Sequence, residues 1–124
     1  MNKIIPIIVI ALALFGVFKL LSQNPSVAGV SDSEADLILY WGDGCTHCET
    51  VKKHITDNNL ESKVKIAYKE VYYNKTNQNQ LNSTVAKCPE IDASQGIGVP
   101  LAFDTANSKC LYGDQPIIDW LNTK

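Results

Sequence analysis

The chemistry open to this chain lies in its four cysteines, and two of them stand two residues apart in Cys45-Thr46-His47-Cys48. Thiols at that spacing come round one helical turn to within disulfide reach, so a mixed disulfide formed on one is resolved by the other. The amides of such a turn and the helix dipole favour an anion at the first position. Cys45 is therefore the expected nucleophile and Cys48 the resolving thiol. His47, between them, donates to a thiolate or carries positive charge near it. Either effect stabilises the reduced form and makes the disulfide a stronger oxidant. Asp43, two residues before Cys45, opposes that bias weakly.

Other uses of the pair fit less well. A lone CxxC is half of a zinc site, but Cys88 and Cys110 do not make a second CxxC. Haem attachment needs histidine directly after the second cysteine, where Glu49 stands. A structural bridge across two residues constrains little of the unfolded chain. Two rivals from other classes stay open. One is a metal-binding or assembly module holding copper or zinc on Cys45, Cys48 and His47. The other is a docking domain with structural cysteines. The redox reading itself calls for no cofactor and no metal.

The flanking sequence supplies elements to position the pair. Leu37-Ile38-Leu39-Tyr40-Trp41 is a short continuous apolar run stopped by Gly42-Asp43-Gly44, the pattern of a strand buried on both faces. From Cys45 onward Cys48, Val51 and Ile55 recur at helical spacing, so an amphipathic helix opens at the cysteines. Val64, Ile66 and Tyr68 alternate with polar or small residues and predict a strand over 64–71, completing a βαβ unit. Leu81, Val85 and Cys88 predict a second helix that Pro89 ends. Residues 99–103 and 109–112 flank a five-residue loop, Asp104 to Ser108, as a hairpin. Asp114 is the expected N-cap of a closing helix, with Pro116 in its first turn and Ile117, Ile118, Trp120 and Leu121 on its buried face. Trp41 is expected in the core and His54 in solvent. The order is β-α-β-α-β-β-α in an α/β fold.

With 124 residues, a formal net charge of -2 and a pI near 5.6, the chain is neither a large multidomain enzyme nor a basic nucleic-acid binder. Ile4 to Phe18 is apolar without a charge, follows Lys3, and continues past Lys19 to Leu21. It reads as a signal anchor or a cleavable signal peptide over 1–22, with the small-x-small pair Ser26 and Ala28 as a cleavage position. Residues 23–36 read as a linker and 37–124 as the globular domain. Lys3 places that domain outside the cytoplasm, facing periplasm or cell exterior, where disulfides persist. The second pair, Cys88 and Cys110, would close a loop of about twenty residues if bonded, contributing roughly 3 kcal/mol. A relay with the first pair, or two free buried thiols, are the alternatives.

Trp41, the CxxC at a strand-to-helix junction, Val99-Pro100 before a hairpin and the Gly113 turn into a last helix together resemble the thioredoxin superfamily. That resemblance implies a central four-stranded mixed sheet with flanking helices. It makes Pro100 a cis-proline and Val99 the residue whose backbone contacts an extended substrate. Leu111-Tyr112-Gly113-Asp114-Gln115 and the cysteine before Val99-Pro100 are similar to the thioredoxin-like domains fused to vitamin K epoxide reductase homologues. The implied activity is thiol-disulfide exchange with protein thiols or disulfides, oxidising or isomerising, with a membrane electron-transfer partner. An exported reductase for apocytochrome or metallochaperone thiols is the alternative. Thr46-His47 replaces the Gly-Pro of thioredoxins proper, and Leu39 stands where they carry a buried acid.

Overall fold

In the computed structural model, which describes residues 29–124, the apolar run ending at Trp41 lies inside a four-stranded mixed sheet. Strand β1 (Leu37–Trp41) pairs in parallel with β2 (Ile66–Glu70) on one side and antiparallel with β3 (Leu101–Asp104) on the other. β3 pairs antiparallel with β4 (Lys109–Tyr112), giving the order β2-β1-β3-β4. Three helices cover the sheet: α1 (Thr46–Asp57), α2 (Lys75–Val85) and α3 (Asp114–Leu121).

Successive residues of a strand face opposite ways, and β1 is apolar on both faces because both are covered. Leu37 and Leu39 enter a core with Val51 and Ile55 of α1 and Ile117 and Leu121 of α3. Ile38 and Tyr40 enter a second core with Leu81 and Val85 of α2 and both Cys88 and Cys110. The buried Tyr40 hydroxyl lies 2.8 Å from Thr84 Oγ1, so the one polar atom on that face of β1 is satisfied by α2.

Element boundaries depart from the sequence reading for local reasons. β2 begins at Ile66 rather than Val64, because a 3₁₀ turn over Leu60–Ser62 takes the Val64 amide to Leu60 O. α2 starts earlier than its apolar stripe, at Lys75, where the Asn74 side chain accepts from the Asn77 amide as an N-cap. It also ends earlier, at Val85, and Cys88 follows in a turn whose amide donates to Val85 O. The β3–β4 loop is one residue shorter than expected, since Asp104 closes β3. Gly113, with φ 92°, takes the N-cap of α3, and Asp114 becomes its first residue. On α3, Ile117 and Leu121 are buried while Ile118 and Trp120 pack at the core edge.

The stretch before β1 packs as well. Ala35 is buried and Val30 lies against the α2-side core. Asp32 reaches Lys69 Nζ at 2.6 Å and Gln80 Nε2 at 2.5 Å. Burial pushes the Asp32 carboxyl up, but those two hydrogen bonds and the Lys69 charge outweigh it and leave it below its ordinary value. No helix of the described residues is long and apolar enough to cross a membrane. Residues 1–28, which hold the segment read as signal or anchor and the Ala28 position, lie outside the described residues.

At the end of the sheet remote from Cys45 and Cys48, the buried Asp104 gathers four donors. Oδ1 accepts from the amides of Ala106 and Asn107, and Oδ2 from Asn107 Nδ2 at 2.7 Å and Trp120 Nε1 at 2.8 Å. It shapes the hairpin loop and docks α3 onto it. Burial raises its carboxyl, but these donors outweigh burial and hold it below its ordinary 3.8. Stability from the ionised form is therefore full above that ordinary value and is lost as pH falls through the lower folded one. Asp104→Ala should cost about 2–3 kcal/mol in urea unfolding at neutral pH, since it strands the Trp120 N–H. The variant should also lose part of the wild-type slope of stability against pH below 4, and equal slopes would contradict the assignment.

Candidate functional site

The site is built where β1 hands over to α1. Gly42 to Cys45 form a turn closed by the Cys45 amide donating to Gly42 O at 3.2 Å. Its third residue, Gly44, has φ 76°, a conformation that requires glycine there. The turn delivers Cys45 to the N-cap of α1, where its Sγ accepts from the Cys48 amide at 3.2 Å. Helix N-caps are ordinarily oxygen side chains. Here a sulfur occupies the position, so an amide of the first turn points at Cys45 Sγ.

Cys45 and Cys48 are joined in a disulfide with Cα atoms 5.2 Å apart. Their exposures differ in the sense exchange requires: Cys48 is 1% exposed, whereas Cys45 is only half-buried. Of the two sulfurs, that of Cys45 is the more accessible from solvent. Opposite stands Val99, whose carbonyl oxygen lies 3.6 Å from Cys45 Sγ, and the Val99–Pro100 peptide is cis. Val99 precedes β3 rather than belonging to it, so its backbone is outside the sheet's pairing. A groove of about 250 Å³ runs from Val99 past Ile97 and Leu81 to Tyr72.

His47 is exposed on the outer face of α1, and its Nδ1 lies 2.9 Å from Asp114 Oδ2 at the start of α3. That hydrogen bond, opposed in part by burial and reinforced by the Gln115 amide and the His47 charge, holds the Asp114 carboxyl below its ordinary value. Asp114 thus joins the CxxC to the start of α3: Oδ2 meets His47 and Oδ1 accepts from the Gln115 amide, while Gly113 holds the N-cap position. The imidazole nitrogen nearest the backbone is engaged by Asp114. Trp41 lies under Lys52, whose Nζ is 3.1 Å from the ring centroid, and its buried Nε1 has no hydrogen-bond partner among the described residues. His54, on the last turn of α1, pairs its Nε2 with Asn122 Oδ1 at 2.9 Å.

The second pair is a disulfide too. Cys88 and Cys110, 22 residues apart in sequence and both buried, join the turn after α2 to β4 with Cα atoms 5.9 Å apart. Glu90 beside them accepts from the Cys110 amide at 3.2 Å. Both sulfurs are committed to each other, so the three side chains do not form a metal-binding set in this oxidised state.

Two residues at the site were not singled out in the sequence. Glu70 ends β2 in register with Trp41 and accepts from the amides of Tyr72 at 2.7 Å, Tyr73 at 2.9 Å and Asp43 at 3.4 Å. Tyr72 lays its ring on Gly42. The available signal was the parallel pairing itself, which puts the last residue of β2 beside the turn that follows β1. These features define a small α/β domain with a mixed four-stranded sheet and a CxxC disulfide at the N-terminus of its first helix. Comparison with protein families, curated proteins and solved structures finds no match to this chain.

Proposed function

We propose that the protein is a thioredoxin-like thiol-disulfide oxidoreductase acting outside the cytoplasm, exchanging disulfides with protein cysteines through Cys45 and Cys48. The observation that carries the reading is the setting of Cys45. Its half-exposed sulfur caps α1 on the Cys48 amide and faces the unpaired backbone of Val99. From the oxidised state, a client thiolate attacks Cys45 Sγ; the client–Cys45 bond forms, the Cys45–Cys48 bond breaks, and Cys48 leaves as thiolate. A second client thiolate then attacks the client sulfur of that mixed disulfide and releases Cys45. The client loses two electrons to the protein's dithiol. Isomerisation starts from the reduced pair: the Cys45 thiolate attacks a client disulfide, one client sulfur leaves as thiolate, and a different client thiolate then attacks the client sulfur of the mixed disulfide and expels Cys45, with no net change of oxidation state. The Val99 backbone aligns the client chain, as strand-like peptide recognition does.

The location rests on Lys3, the apolar run to Leu21 and two disulfides, and tethering by residues 1–22 is part of the proposal. Reoxidation of Cys45 and Cys48 falls to a membrane electron-transfer partner, by analogy with proteins of this fold. The test is the reduction potential of Cys45/Cys48, equilibrated with glutathione in full-length protein. A value well above about -200 mV supports a disulfide donor, and one at or below about -270 mV overturns that direction in favour of a reductant.

A further inference from the structure

The turn that presents Cys45 lies outside the sheet's pairing and, beside its own closing bond from the Cys45 amide to Gly42 O, is held from outside β1 and α1. Three observations converge on the end of β2. The Glu70 carboxylate takes the Asp43 amide from the turn and the Tyr72 and Tyr73 amides from its own chain. Those bonds hold its carboxyl below the ordinary value despite burial acting the other way. Tyr72, so held, rests its ring on buried Gly42, where any Cβ would overlap the ring. We propose that Glu70 is a positioning residue for the dithiol: with Tyr72 it moulds the Gly42–Cys45 turn and so keeps Cys45 Sγ on the Cys48 amide.

The inference deepens the redox reading by naming what sets the geometry of its nucleophile. It predicts how two substitutions at one position differ. Glu70→Gln keeps an acceptor oxygen and removes a negative charge near the dithiol. Glu70→Ala removes both. The charge effect is common to the pair and cancels, as do the contributions of Asp43, His47 and Asp114, which neither variant alters. What remains is the loss of the mould.

The experiment follows alkylation of Cys45 by iodoacetamide across pH in fully reduced full-length protein, located by peptide mass; buried Cys48 reacts slowly. We expect the Cys45 thiolate fraction in Glu70→Ala to be about fivefold below that in Glu70→Gln at the same pH, the factor for one hydrogen bond of ordinary net strength. Gly42→Ala is the second variant. Its φ lies outside the left-handed region, the nearest atoms its methyl meets are those of the Tyr72 ring, and it leaves all charges in place. It should lower the thiolate fraction against wild type in the same direction. Superimposed profiles for the two Glu70 variants overturn the inference, and if Glu70→Ala does not fold, a wild-type profile in Gly42→Ala does so instead. No client is involved in this readout. A wild type that exchanges no disulfides while these profiles separate defeats the proposed function and leaves the positioning role standing.

Discussion

Replacing Cys45 by serine should slow exchange with a reduced, unfolded protein client by about a thousandfold or more, while leaving the fold intact. The hydroxyl fits the N-cap at least as well as sulfur does, and α1 keeps its first turn. What disappears is a disulfide sulfur at the only half-exposed position of the pair. Cys48→Ser has a different signature. A client disulfide is still attacked by Cys45, but nothing resolves the product, so client and protein accumulate as a covalent adduct. Non-reducing gels of the two variants incubated with a disulfide-bonded client separate these outcomes. An adduct on Cys45→Ser in place of Cys48→Ser would reverse the roles. Wild-type turnover in both variants would dismiss the redox reading altogether and favour a docking domain.

The CxxC of the candidate site is more readily legible in the sequence than the framework around it. Cys45 and Cys48 are legible because two thiols at that spacing after a buried strand do little else well. The cores are legible for a related reason: the five apolar residues of β1 need cover on both faces, and the helical stripes of α1 and α3 provide one of them. What escapes the sequence depends on contacts between distant segments. Asp114 looks like an N-cap because its neighbours have that pattern. The preceding Gly113 takes the cap, and the Asp114 carboxylate is shared between the Gln115 amide and His47, 67 residues away in sequence. Glu70 has the look of a solvent-facing strand residue until parallel pairing puts it beside the turn before Cys45. Gly42 reads as a strand stop, although what excludes a side chain there is a tyrosine thirty residues on. Local patterns thus supply the elements and the CxxC, and the sheet's register brings Glu70 and Tyr72 to the turn before it.

The same register bears on the second disulfide and yields the other large expected effect. Cys110 pairs with Phe103, and Phe103 with Ile38, so the bridge lies toward the start of β1, whereas Cys45 follows its end. Both sulfurs are buried in the α2-side core. A relay needs a thiol open to the first pair, and this placement offers none. The bridge instead closes the chain segment that carries Val99 and Pro100, which links α2 to the sheet with little regular structure of its own. Removing it in the double variant Cys88→Ala, Cys110→Ala restores freedom to a 22-residue span of the unfolded chain and should cost about 3 kcal/mol. For a domain of this size that lowers Tm by roughly 12–24 °C. Measured well below its melting range, the variant should keep the wild-type potential of Cys45/Cys48 and most of its exchange rate. A folded double variant that no longer exchanges disulfides would show that electrons pass through Cys88 and Cys110, and that their burial opens during turnover. An unchanged Tm would mean that core packing, with Leu81, Val85 and Leu101 around the bridge, already fixes the approach to Val99 without the covalent link.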